Sequence, residues 1–341
     1  MYTPGMDQYS VRIQHSGAMP LDPVELDDLG VLRIRGADAE RFLQGQLSND
    51  LARLEREGAL TAGFHNPQGR TIALLRLLRV NAGDILAVLP RELAESVAAR
   101  LGRYVLRAKV QVTDESAAWR VRGIVQEAAP GGIVMRVAGG RGPTEAGSAA
   151  SVPAVQPSEA TLARWISLMP AADARPTADA KPTAGRGTAP ESDARRAWRL
   201  LDIAAGLPQV YARTSEQFVA QMLNLDLIDA ISFSKGCYTG QEVIARAHYR
   251  GRVKRRMQRW RTTHAAELVP GDAARLCDGR AVRVIEAAAL PDGRCELLAV
   301  APIEVHGDAA AAEAREAEST AAAAEPVLDA EPLPLPYALP D

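Results

Sequence analysis

Hydrophobic and polar residues fall into regular patterns from about residue 24 onward, and their period changes along the chain. In VELDDLGVLRIRG the pattern predicts a strand at Val31 to Ile34, closed by Gly36. ADAERFLQGQLSND then reads as a short helix that Asp38 would cap, with Phe42, Leu43 and Leu47 turned inward. Strands are predicted around Leu60 to Phe64 and Thr71 to Leu78, flanking the turn-forming segment His65-Asn66-Pro67-Gln68-Gly69. DILAVLP gives a further strand, RELAESVAARLGRYV an amphipathic helix with Leu93, Val97 and Leu101 on one face, and Lys109 to Val112 another strand. Strand-helix units mixed with adjacent strands point to an α+β sheet layered with helices.

Between about Met169 and Asp193 the chain is rich in Ala, Pro, Thr and Gly without an apolar period, and it cannot bury enough surface to offset the entropy of ordering. A disordered insertion is expected there. ARRAWRLLDIAAGLPQV resumes as a helix ending at Gly206, with Pro208 blocking continuation and Trp198 and Asp202 four apart on one face. From Gly251 to Val305, short strand-like runs separated by Pro-Gly and Asp-Gly turns predict a small β-barrel. The expected division is an extension at 1–23, an α+β region at 24–250 containing the insertion at 169–193, a barrel at 251–306 and a low-complexity tail at 307–341.

Composition narrows the function classes. A net charge of −2 gives no overall affinity for nucleic acid or anionic membrane. The N-terminus lacks a basic region followed by an apolar core, and no stretch approaches the ~18 apolar residues that span a bilayer, so a cytoplasmic protein is expected. Cys237, Cys277 and Cys295 are odd in number and far apart, which points to single-thiol chemistry rather than a disulfide framework or a paired-cysteine metal site.

The stretch KGCYTGQE at 235–242 concentrates the candidate chemistry. Thr239 and Glu242 have the spacing of a capping box, with Val243, Ile244 and Ala247 following at helical spacing, so a helix is expected to begin at about residue 240. Cys237 would then stand just before a helix N-terminus and beside Lys235, a setting that favours thiolate over thiol. A small Cys packed under a tight turn is the plain structural alternative. The run ARAHYRGRVKRRMQRWR, from Arg246 and Arg250 to Arg261, contains no acid and could hold phosphates or a carboxylate-rich tail, with Tyr249 and Trp260 as stacking surfaces. A solvated strand face is the alternative.

KGCYTGQE, preceded by QMLNLDLIDAISFS and followed by VIARAHYRG, resembles the signature of the YgfZ family of folate-binding, iron–sulfur cluster maintenance proteins, relatives of the aminomethyltransferase (T-protein) of the glycine cleavage system. GADAERFLQGQLSND, HNPQGR, WRLLDIAAGLP and LPYAL match further, in the family's order. The resemblance implies an aminomethyltransferase-like α+β fold of three parts around a central opening, a tetrahydrofolate site in the middle and a C-terminal β-barrel. It implies a role in assembling or repairing iron–sulfur clusters of client enzymes, including tRNA-modifying ones, with assembly machinery as partner. No general acid/base pair or nucleophile triad stands out in the sequence, so a non-catalytic factor is expected, and the composition gives no membrane partner. Cys237 is the functional thiol under this resemblance and a transient iron–sulfur ligand. Trp198, Asp202, Lys235, Gly236, Tyr238, Arg246 and Arg250 are the residues assigned to the folate.

This chain departs from its relatives at places that matter. Ala73-Leu74 stands where the aminomethyltransferase has an acidic pair, so the carboxylate expected to assist methylene transfer is missing. Ala204 occupies the place of a Glu that hydrogen-bonds the pterin, and Leu29 that of an aromatic. A tetrahydrofolate-dependent one-carbon transferase is therefore the disfavoured alternative. A tRNA-binding module acting through residues 246–261 is a third reading, against which the acidic tail argues; direct tRNA binding is not expected.

Overall fold

The computed structural model describes residues 22–126, 129–137, 163–171, 191–251, 253–303 and 326–340. The first half of the chain contributes β1 (Val24–Glu25), β2 (Leu29–Arg35), α1 (Ala39–Gln44), α2 (Leu54–Glu57), β3 (Ala59–His65), β4 (Thr71–Asn81), β5 (Asp84–Pro90), α3 (Arg91–Gly102), β6 (Gln111–Asp114), β7 (Trp119–Gln126), β8 (Ile133–Arg136) and β9 (Ala163–Pro170). The second contributes α4 (Asp193–Ala204), α5 (Gln241–Tyr249), β10 (Arg255–Thr262), β11 (Ala273–Leu276), β12 (Ala281–Ala289), β13 (Cys295–Pro302), β14 (Val327–Leu328) and β15 (Ala330–Leu333).

An antiparallel five-stranded sheet runs in the order β3-β4-β5-β2-β6 and is covered on both faces. Leu75, Leu77 and Ala87 belong to the core shared with Phe42, Leu43 and the Leu93, Val97 and Leu101 face of α3. Val31, Leu78, Leu86 and Val88 belong instead to the core shared with the second sheet. That sheet, β1-β7-β9-β8, buries Val121, Val125, Ile166 and Leu168, and α4 closes its core with Trp198 and Leu201. Gly123 permits the close fit, since a Cβ there would stand 2.5 Å from Trp198 Cε3.

The third part is the six-stranded sheet β14-β11-β12-β13-β10-β15. Its two edge strands are separated in sequence by Asp329 alone, so the edges are neighbours and the sheet is nearly closed into a barrel around Trp260, Val284, Leu297 and Ala299. Three sheets joined through α4 give the α+β, three-part architecture expected from the sequence.

Several local expectations are corrected. Met169 and Pro170, assigned to a disordered insertion, pair with Arg120 and Trp119 in β9, and the bulk of that insertion lies outside the described residues. Residues 327–333, assigned to the low-complexity tail, supply both barrel edges; Pro332 is accommodated because β15 has a partner on one side only. Asp38 occupies the N-cap of α1, but its carboxylate accepts from the Lys109 backbone N–H at 2.7 Å instead of capping the helix. α5 begins at Gln241, and its N-cap is Gly240 with φ +84°, with no side-chain cap. The Thr239/Glu242 capping box does not form because Gly240 presses on the turn that joins β3 and β4, where a Cβ would meet Asn66 O at 2.5 Å.

Candidate functional site

A small cleft, partly open to solvent, lies where the three sheets meet. Leu29 and Arg76 line it from the five-stranded sheet, Ile166 from the four-stranded sheet, Arg195, Trp198, Arg199 and Asp202 from α4, and Glu286 from the barrel. Trp198 and Asp202, four apart on α4, both reach this cleft, as does Leu29; Ala204 does not line it. The Trp198 ring is 4% exposed, with one side against Gly123 and the Arg164 guanidinium 5.3 Å from its centre. Its role as a core anchor is thereby met, and a stacked ligand could use only the part that reaches the cleft. Asp202 accepts a 2.6 Å hydrogen bond from Arg164.

Sequence reasoning passed over several charged groups here. Glu286 is buried, accepts from Tyr211 Oη at 2.5 Å and stands 3.7 Å from Arg199 Nε. Burial pushes its carboxyl up to about 7, against the pull of Arg199 and the Tyr211 hydrogen bond. Burial together with the Glu286 charge also holds the Tyr211 phenol well above its ordinary value. Arg76 is 7% exposed and, among the described residues, makes no hydrogen bond or ion pair. A sequence signal existed for both: each is a lone charge in an apolar strand, in TIALLRLL and VIEAAA. An unpartnered buried cation beside an aromatic wall fits a flat, oxygen-bearing ligand such as folate.

KGCYTGQE forms a second, separate locus, and none of its residues lines the cleft. Lys235 is buried, and its ammonium donates to the backbone carbonyls of Gln44 and Leu47 at 2.6 Å and of Asn49 at 2.9 Å. Burial lowers its pKa to about 8, opposed by Asp50. All three ammonium donors are engaged, so Lys235 ties the loop to the end of α1 and offers none to folate or to the thiol. Tyr238 is buried with its ring 5.1 Å from the Lys235 Nζ, and its hydroxyl, without a hydrogen-bond partner among the described residues, is raised above its ordinary pKa by burial. Beside it, burial holds His65 neutral with a pKa of about 3, its Nδ1 3.3 Å from Thr71 Oγ1. Between these anchors Gly236 and Cys237 are exposed.

The basic run divides. Arg246 and Arg250 are exposed on and just after α5, and Tyr249 is 68% exposed beside a stacked Phe233–His248 pair at 3.8 Å. Arg256 instead forms a buried bidentate pair with Asp226 at 2.9 Å, and Arg259 and Arg261 share Glu296. Trp260, considered as a stacking surface, is 1% exposed inside the barrel, because alternation along β10 turns it inward. The structure therefore brings Trp198 and Asp202 together with Arg76 and Glu286, and leaves Lys235, Gly236, Cys237, Tyr238, Arg246 and Arg250 outside that cleft.

No protein-family model matches the chain. It is similar to the tRNA-modifying protein YgfZ of Enterobacter sp. (strain 638), 33% identical over 288 residues that cover 82% of this chain and 85% of the relative. The tRNA-modifying protein YgfZ of Escherichia coli O157:H7 (strain EC4115 / EHEC) is 32% identical over 289 residues, with the same coverage of 82% and 85%. Among solved structures, the crystal structure of glycine cleavage system aminomethyltransferase T from Bartonella henselae shares the fold, with a TM-score of 0.53 at 12% identity over 82% of this chain and 78% of that one. On the sequence identity along most of both chains, this protein belongs to the YgfZ family, built on the aminomethyltransferase fold.

Proposed function

We propose that this protein is a folate-binding factor that serves the assembly or repair of iron–sulfur clusters in client enzymes, tRNA-modifying enzymes among them, through the thiol of Cys237. The observation that carries the reading is the exposed Cys237 on a loop whose neighbours are fixed, Lys235 by three backbone carbonyls and Tyr238 by burial. A thiol held out from a rigid loop can be met by a large partner. The name of the relatives, tRNA-modifying protein, agrees with clients in tRNA modification.

Iron–sulfur clusters normally take four protein ligands. Among the described residues, no group of three or more His, Cys, Asp or Glu is placed to hold a metal ion. Cys237 would thus supply one ligand to a cluster in transit, and the client or scaffold the others. In the central cleft Trp198 would form the aromatic wall for a reduced folate, with Asp202 and Arg76 as polar contacts. Bound folate would supply a one-carbon carrier; the chain's residues bind and orient it. Ala73 and Leu74 are packed in the core with 0% and 2% exposure, so no carboxylate arises there for methylene transfer, and a non-catalytic factor is the reading we adopt.

The test is complementation of a deletion strain with wild type and Cys237→Ser, read as the activity of iron–sulfur client enzymes. Serine keeps the shape but is a poor ligand for iron and a poor nucleophile. Loss of activity with normal amounts of folded protein is expected. Full restoration by the serine variant removes Cys237 from the mechanism.

A further inference from the structure

The carboxylates that line the central cleft all have partners. Asp28 pairs with Arg195 at 2.5 Å, Glu191 with Arg199 at 2.9 Å and Asp202 with Arg164 at 2.6 Å, while Glu286 accepts from Tyr211. Arg195 and Arg199 are committed by the same contacts. Arg76 stands apart: it lines the cleft at 7% exposure and, among the described residues, has neither a hydrogen bond nor an ion pair.

Its position makes this unusual. Arg76 sits in the middle of β4, opposite Thr61 of β3 and Val88 of β5, with Leu74, Leu75, Leu77 and Leu78 around it in sequence. A guanidinium carries five N–H donors, has no acceptor and keeps its proton, so burying it unpaired is strongly unfavourable. A leucine would serve the strand better. The Arg76 nitrogens are not among the buried side-chain atoms without a partner, where His65 Nε2 and Tyr238 Oη are found, and the residue lines the cleft.

We propose that Arg76 is the residue that fixes the ligand of this cleft, by donating paired hydrogen bonds to oxygen acceptors of a flat small molecule. The planar fork of a guanidinium suits such acceptors better than an ammonium would. Under the folate reading the acceptor is the ring carbonyl or a tail carboxylate. The proposal rests on that reading for the identity of the ligand, while the unpaired cation stands without it.

Thermal unfolding and calorimetric titration of the full chain, as wild type, Arg76→Met and Arg76→Lys, test the proposal with tetrahydrofolate and with 6-methyltetrahydropterin, which has the ring and no tail. Without ligand, Arg76→Met is expected to melt at or above the wild-type temperature, because an unpaired buried charge has gone. Its affinity for tetrahydrofolate is expected to fall roughly tenfold to a hundredfold, the usual size of a lost charged hydrogen bond, with Arg76→Lys between. The same loss with the tailless pterin assigns the contact to the ring; a loss confined to tetrahydrofolate assigns it to the tail. Unchanged affinity for tetrahydrofolate overturns the proposal. If the wild type binds no tetrahydrofolate, the folate reading falls. The ligand-free melt then decides the Arg76 assignment, and a variant that melts below the wild type makes Arg76 a structural strut and overturns it.

Discussion

The central cleft and the Cys237 loop both place polar groups among apolar ones, yet they leave opposite things unfinished. In the cleft the carboxylates are paired and a buried cation is not: among the described residues Arg76 has no hydrogen-bond or ion-pair partner, while Asp28, Asp202, Glu191 and Glu286 have theirs. On the loop the cation is satisfied and the thiol is not: Lys235 engages all three donors internally, and Cys237 faces solvent. An incomplete buried site suits a small molecule that enters it, and an exposed group on a fixed loop suits a partner that arrives from outside. Under the proposed function, the difference would place folate binding and thiol chemistry in separate parts of the molecule.

That separation can be attacked from several sides. The largest effect belongs to Cys237→Ser, which is expected to abolish support of client enzymes while leaving the melting temperature unchanged. Next is Arg256→Met. Arg256 pairs with Asp226 and donates to Gln221 O, and the Gln221 amide in turn donates to Ile244 O of α5. Removing it strands a buried carboxylate beneath the loop side of the molecule, and a cost of about 3–5 kcal/mol is expected in urea denaturation.

The cleft side is read by pH. Glu286 has its pKa raised from 4.5 to about 7, so between those values the folded protein holds a proton that the unfolded chain has released. Its contribution to stability is therefore lost as pH rises through that window, and the penalty is complete above it. Glu286→Gln should remove this dependence and stabilise the protein at alkaline pH by on the order of 3 kcal/mol, read from denaturation curves at several pH values. The smallest effect is expected from Arg246→Ala and Arg250→Ala, whose exposed side chains should contribute within ~0.5 kcal/mol of stability and leave tetrahydrofolate affinity unchanged.

Much of this arrangement was legible in the sequence where the cause is local. Helical spacing placed Trp198 and Asp202 on one face, and they meet in one cleft. The period of RELAESVAARLG named the buried face of α3. What was not legible depends on distant contacts. Nothing near Gly240 says that a turn from β3 and β4 will press against it, so the capping-box spacing misled. The basic run looked uniform because its acids, Asp226 and Glu296, lie elsewhere in the chain. Pro332 hid an edge strand whose partner, β10, is remote in sequence. β7 is a different case: Val121, Gly123 and Val125 alternate plainly in WRVRGIVQ, and the strand could have been read.

The most direct test of the separation is calorimetric titration of tetrahydrofolate into wild type and Cys237→Ser. The account predicts binding by both with the same affinity, even though the serine variant no longer supports client enzymes. Loss of folate binding in Cys237→Ser would contradict it, because thiol and folate would then share a site.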